Sequence, residues 1–200
     1  MRIEICGGIG AGKTTLATLL GSNGYSSVLE NFKINPFWIP FYSNPNKFNF
    51  ETEITFLLQH YHDIKVAKEN QLKIACDFSL YQDLAYAKMG LQNNRLKIFE
   101  DVFNDGLNEL GQPDLLICLQ CDPATLLHRI QARGRKEEDL INTEFLTVLN
   151  DDIYLEAEKL GHSKQVLFID SKRYNFAYNE NDKAAIVNLI NSTIQQFNIV

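Results

Sequence analysis

The chain has 200 residues, a length that ordinarily makes one domain. Apolar residues make up 45% and charged residues 22%, which excludes a disordered or collagen-like chain. A net charge of −6 excludes a broad basic surface, so no nucleic acid polymer is expected as a partner.

No apolar run reaches the length of a membrane span, and the start reads as neither signal nor transit peptide. A cytoplasmic protein with no membrane partner is therefore expected. Cys6, Cys76, Cys118 and Cys121 are irregularly spaced and mostly sit in apolar runs, as buried thiols do.

Apolar runs alternate with helical patterns along the chain. Residues 3–6 read as a strand ending at Gly7, and 14–20 as the helix after it. A second strand, 27–29, stops at Glu30. Residues 31–50 hold three prolines and seven aromatics and read as a folded loop region. A long helix over 50–70 follows, then a third strand over 72–76 that ends at Asp77. Helices over 79–88 and 91–110 lead to a fourth strand, 115–120. Asp122 and Pro123 then open a helix over 123–133, as N-cap and first residue. A helix over 145–160, a fifth strand over 166–169 and a closing helix over 181–197 complete the chain. Short β-branched runs separated by helices predict an α/β fold with a five-stranded parallel sheet and helices on both faces. In such sheets ligands gather at the carboxyl ends of strands, where this chain places Gly7, Glu30, Asp77, Asp122 and Asp170. Asp122 and Asp170 read as caps of turns and helices, and Glu30 and Asp77 as site residues.

Gly7-Gly8-Ile9-Gly10-Ala11-Gly12-Lys13-Thr14 matches the phosphate-loop pattern G-x-x-x-x-G-K-S/T in full, between a strand and a helix. Glycines let backbone N–H groups turn onto phosphates, Lys13 reaches the β- and γ-phosphates, and Thr14 is placed for Mg²⁺. The nucleotide site therefore spans residues 7–15 through Thr15, with ATP or another nucleoside triphosphate and Mg²⁺ as the expected ligands. Residues 128–138 form the one dense basic patch. Arg129 and Arg133 share a helix face and Arg135 follows Gly134, a set suited to neutralising a phosphoryl group under a closing segment at 129–140. Glu30, a lone carboxylate ending an apolar strand beside a phosphate cradle, reads as a general base.

In this order and spacing, these elements resemble the deoxyribonucleoside kinase family, in particular its bacterial deoxyadenosine/deoxyguanosine members. The resemblance runs from the phosphate loop to about residue 160. It is carried by Leu29-Glu30-Asn31-Phe32, Asn35-Pro36-Phe37, Phe41-Tyr42-Ser43-Asn44-Pro45, Asp77-Phe78-Ser79 and the Arg129, Arg133, Arg135, Glu137, Glu138 pattern. It implies a three-layer P-loop fold in a single domain, and transfer of phosphate to the 5′-hydroxyl of a deoxyribonucleoside. Glu30 would be the base, and Tyr42 and Glu138 would hold the sugar. Asp77 would help to place Mg²⁺, the three arginines would close over the phosphates, and the assembly would be a homodimer. Glu53 falls where the family reads the base with a Gln, with Gln59 as the other candidate, and Asp83 falls where several members carry an acid near the base.

Two departures stand out. Phe78 replaces an Arg that the family sets at the reacting end, and Glu53 replaces an amide. With Glu53 and Asp83 read as ionised acceptors, thymidine is expected to be the poorest substrate. A partly exposed Phe78 is expected; either Arg135 does the missing Arg's work alone, or the phosphoryl acceptor differs from the family norm. Phe32, Phe37, Trp38, Phe41, Phe48 and Phe50 could stack on a base or pack the core. His60 and His62 read as surface residues, and His128 and His162 have no visible partner. Two alternatives remain: a nucleoside monophosphate kinase, for which Arg95 is the one available phosphate-binding Arg, and a non-catalytic nucleotide-binding regulator.

Overall fold

A computed structural model describes residues 1–161 and 165–199; His162 lies outside them. Its strands are β1 (Arg2–Gly7), β2 (Ser26–Val28), β3 (Ile74–Cys76), β4 (Leu115–Gln120) and β5 (Val166–Asp170). They form one all-parallel sheet in the order β2-β3-β1-β4-β5. Every residue of β1 is buried, as expected for a central strand covered on both faces. Successive side chains point to opposite faces. Ile3, Ile5, Leu115, Ile117 and Leu119 therefore pack with α1 (Lys13–Gly21), α6 (Pro123–Arg133) and α8 (Glu180–Gln196). On the other face Cys6, Leu116 and Cys118 meet α4 (Leu80–Gly90) and α7 (Thr143–Gly161), while Ile74 and Cys76 meet α3 (Pro45–Glu69), α4 and α5 (Asn93–Leu110). These are the three expected layers, and all four cysteines are free and buried.

The predicted elements are present with small shifts at their ends, except over residues 31–50. This segment is largely helical. It holds a 3₁₀ turn at Phe32–Ile34, the short helix α2 (Trp38–Ser43) and the first turns of α3. Pro40 sits in the first turn of α2, where its missing N–H has no intrahelical partner to lose. Asn44 caps α3 by accepting from the Lys47 N–H, and Pro45 takes the first helical position. Aromatics on several sides of the short α2 gave no amphipathic period, which hid the helix.

At the end of β1, Gly7 adopts φ +143°, and a Cβ there would stand 2.6 Å from the Leu119 carbonyl oxygen. Only glycine lets the chain leave β1 so close to β4. The loop that follows opens at the carboxyl edge of the sheet.

Candidate nucleotide and acceptor site

A single cleft of about 910 Å³ runs along that edge. Residues 9–15 form its floor. Glu30, Tyr42, Glu53, Asp77, Asp83, Arg129, Arg133, Arg135 and Glu138 all line it, so nearly every site residue expected from the sequence meets in one place. Gly7 and Gly8 lie behind the floor, where their carbonyls accept from Lys13 Nζ at 2.8 and 3.2 Å.

Asp77, just past β3, joins the two halves of the cleft. Its Oδ2 accepts from the Thr14 hydroxyl at 2.6 Å, and its Oδ1 accepts from the Glu30 backbone N–H at 2.6 Å. One carboxylate thus fixes the end of β2 against the phosphate loop. Burial pushes the Lys13 ammonium below its usual range, against the opposing pull of Glu30 and Asp77. For Glu30 burial pushes upward, but His60, Lys13 and Arg135 outweigh it and hold the carboxyl below the usual range. Glu30 is therefore ionised at neutral pH, as a base must be.

The three arginines do not all point at an open cleft. Arg133 grips both oxygens of Glu138, at 2.8 and 2.5 Å, and Arg135 reaches the same carboxylate at 3.3 Å. The Arg135 guanidinium also lies 4.6 Å over the Phe32 ring. Arg129 donates to the Gly10 and Ala11 carbonyls and to Ser171, tying the phosphate loop to the segment after β5. Gly134, left-handed at the end of α6, lets the chain turn into the short Lys136–Glu138 turn that carries Glu138 back.

Glu53 is the base-edge candidate that reaches the cleft; Gln59 does not line it. Burial, with Asp83 and Glu30 nearby, pushes the Glu53 carboxyl well above its usual range. A protonated acid offers one donor and one acceptor, as an amide does.

Two expectations need correction. His60 is not a surface residue but 2% exposed. It lies on the buried stripe of α3 with Glu53, Leu57, Ile64 and Ala67, three residues after Leu57 and four before Ile64. That spacing was the signal that could have found it. Phe78 is not partly exposed but fully buried, stacked against the His60 ring. Its side chain therefore does not line the cleft. His62 is exposed, as expected. Gln82, whose Oε1 accepts from the Gly7 N–H, and Ser171, past the carboxyl end of β5, were also missed. Among the aromatics in question, Phe32, Trp38 and Phe41 line the cleft. Phe50 packs into the core beneath Arg95, whose guanidinium lies 5.5 Å from its ring. Arg95 does not line the cleft, which removes the residue that the monophosphate kinase alternative needed. Asp122 and Asp170 have the capping roles expected of them, accepting from Thr125 and from the Lys172 N–H.

A phosphate loop at the carboxyl edge of a three-layer parallel sheet, facing a pocket of carboxylates and aromatics, defines a P-loop kinase-type fold. The deoxynucleoside kinase family model matches residues 3–195, and the chain belongs to that family. It is an enzyme that phosphorylates deoxynucleosides in nucleoside salvage. A deoxyguanosine kinase of Bacillus subtilis (strain 168) is 31% identical over 188 residues, covering 90% of this chain and 91% of that one. A deoxyadenosine kinase of Dictyostelium discoideum is 31% identical over 154 residues, covering 72% of this chain and 61% of that one. The structure of a deoxyadenosine kinase from M. mycoides with bound dATP aligns with a TM-score of 0.80 at 26% identity, covering 96% of this chain and all of that one.

Proposed function

We propose that this chain transfers the γ-phosphoryl group of a nucleoside triphosphate to the 5′-hydroxyl of a purine deoxyribonucleoside. The observation that carries this is the Asp77 bridge, which holds Glu30 and Thr14 to one carboxylate. The base and the phosphate cradle are thereby set on a common mount. Glu30 takes the hydroxyl proton, the freed oxygen bonds to the γ-phosphorus, and the bond to the β–γ bridging oxygen breaks. The nucleoside diphosphate leaves with that electron pair.

Lys13 and the backbone N–H groups of residues 7–15 bind the phosphates, and Arg129 stiffens the loop they belong to. Arg133 and Arg135 belong to a lid at about 129–140 that turns them onto phosphate when Glu138 bonds to the sugar together with Tyr42. The hydroxyl of Thr14 and the carboxylate of Asp77 are hard oxygen donors side by side, the chemistry that Mg²⁺ takes up with phosphate oxygens and water. When bound, Mg²⁺ would neutralise charge on the β- and γ-phosphates. Glu53 reads the base edge. The purine preference rests on the names of the curated relatives, deoxyguanosine and deoxyadenosine kinases. A homodimer in the cytoplasm is the assembly and location this reading implies.

The test is a radiolabel panel of four deoxynucleosides and their 5′-monophosphates with ATP and Mg²⁺. Deoxyguanosine or deoxyadenosine should give the 5′-monophosphate fastest. Labelling of the monophosphates instead would overturn the assignment of the acceptor.

A further inference from the structure

His60 stands mid-way along α3, buried, with its ring lying flat on Phe78: the centroids are 3.8 Å apart and the planes 7° from parallel. Phe56 covers it from another side at 5.9 Å and 25°. The two ring nitrogens meet two different carboxylates. Nδ1 is 2.8 Å from Asp83 Oδ2, on α4, and Nε2 is 3.3 Å from Glu30 Oε1, past β2. The second contact is within ion-pair range but makes no well-formed hydrogen bond, so Nε2 is a buried polar atom aimed at the cleft wall with spare capacity. Of the two Glu30 carboxylate oxygens, Oε1 is the one that faces the ring.

We infer that His60 is a positioning residue: an imidazolium clamped between Asp83 and Glu30 that turns one oxygen of the Glu30 carboxylate inward and leaves the other facing the acceptor hydroxyl. Phe78 is the flat support that fixes the plane of the ring. This rests on Glu30 acting as the base.

The geometry itself calls for the charged ring. Burial pushes the Asp83 carboxyl up and the His60 cation pulls it down; with Asp83 ionised, the 2.8 Å contact calls for a proton on Nδ1. A neutral ring would then turn the Nε2 lone pair onto the Glu30 carboxylate, a repulsive arrangement. With both nitrogens protonated, each carboxylate faces a donor. The surroundings agree. Asp83, Glu30 and Glu53 bring three carboxyl groups to the ring, while Lys13 and Arg135 act on Glu30. Tyr42 and Tyr86 are further titratable neighbours of this cluster, Glu4 lies close enough to act on Asp83, and Asp77 accepts from the Glu30 N–H. Asp83 and Glu30 outweigh burial and push the imidazole up to about 10. Stacking on Phe78 adds precision, because an imidazole free to rotate about its ring bond would lose one contact whenever it kept the other.

Four proteins decide the matter: wild type, His60→Gln, Phe78→Leu and Glu30→Gln. Each is assayed for kcat and KM with ATP, Mg²⁺ and the deoxynucleoside that wild type uses best. His60→Gln should lower kcat at least about tenfold, while both KM values stay within about threefold, the signature of a lost transition-state contribution. Phe78→Leu keeps apolar bulk but removes the flat surface, and should lower kcat by a smaller factor in the same pattern. Independently, ¹⁵N-histidine NMR of the whole wild-type protein should show His60 as an imidazolium at pH 8. A neutral His60 at pH 7 overturns the inference, as does a His60→Gln enzyme with wild-type kcat or with a change confined to KM. If His60→Gln fails to fold, Phe78→Leu and the NMR titration decide. Wild-type turnover by Glu30→Gln would overturn the underlying reading of the base. A crippled Glu30→Gln beside an unaffected His60→Gln would overturn the role of His60 alone.

Discussion

Glu53 has few polar neighbours to offset its burial: it is 6% exposed, with the Asp83 and Glu30 carboxylates close by and the His60 cation already claimed by both. Its folded-state pKa lies above its unfolded value, so it binds a proton more tightly in the native chain. Its contribution to stability is full below the ordinary carboxyl range and is lost as pH rises through the raised pKa, by at most about 1.4 kcal/mol per pH unit for one proton. Glu53→Gln keeps shape and hydrogen-bonding capacity and cannot ionise. Its melting temperature relative to wild type should therefore climb as pH rises above about 5, with the base preference of the enzyme kept. Parallel melting curves at pH 5 and pH 8 check this, and an offset that does not move with pH would show that Glu53 is ionised in the fold. Phe78 calls for a different expectation. An Arg at this fully buried position would place a charge under the His60 ring with no water to solvate it, a cost of several kcal/mol. Phe78→Arg should therefore melt far below wild type rather than gain activity, which thermal denaturation will show.

Helix ends set much of this architecture. Asp122 caps α6 through the Thr125 N–H at 2.9 Å and also pairs with Lys172, next to the Ser171 that Arg129 holds. Asp122→Ala should lower the melting temperature by roughly 2–4 °C through the lost cap, with kcat nearly unchanged. A calorimetric scan beside an activity assay separates the two effects. This cap was legible in the sequence, because Asp-Pro ahead of an apolar period has one strong local reading. The phosphate loop was legible for the same reason, since backbone geometry there demands glycine at fixed spacing. The segment 31–50 was not, because its helices are short and carry aromatics on several sides. His60 was missed because adjacent-residue reasoning paired it with His62, whereas the helix pairs it with Leu57 and Ile64. The partners of its two nitrogens come from the segment after β2 and from α4, and that proximity is created only by the sheet order.

The molecule as a whole holds its nucleotide site between two packed faces, with Lys13 contributing little to either. Lys13→Ala should leave the fold intact and abolish most turnover. A nucleotide triphosphate at about 100 times its Kd should raise the stability of wild type by about 2.7 kcal/mol, or roughly 5–10 °C, and this shift should shrink strongly in the variant. Thermal-shift titration reads both. The same sheet order imposes a schedule. The central strand β1 pairs with β3 and β4, so Ile3 must wait for Ala75 on one side and Leu115 on the other. The walls of the loop come later still, from Gln82, Arg129 and Ser171. A chain leaving the ribosome at about 5–20 residues per second thus carries its phosphate-loop motif for of order ten seconds before the flanking strands exist. Such parallel, long-range pairings are slow to form. A nascent fragment of the first hundred residues has the complete motif and no site to put it in, so the segment most readily recognised in the sequence is among the last to acquire its working shape.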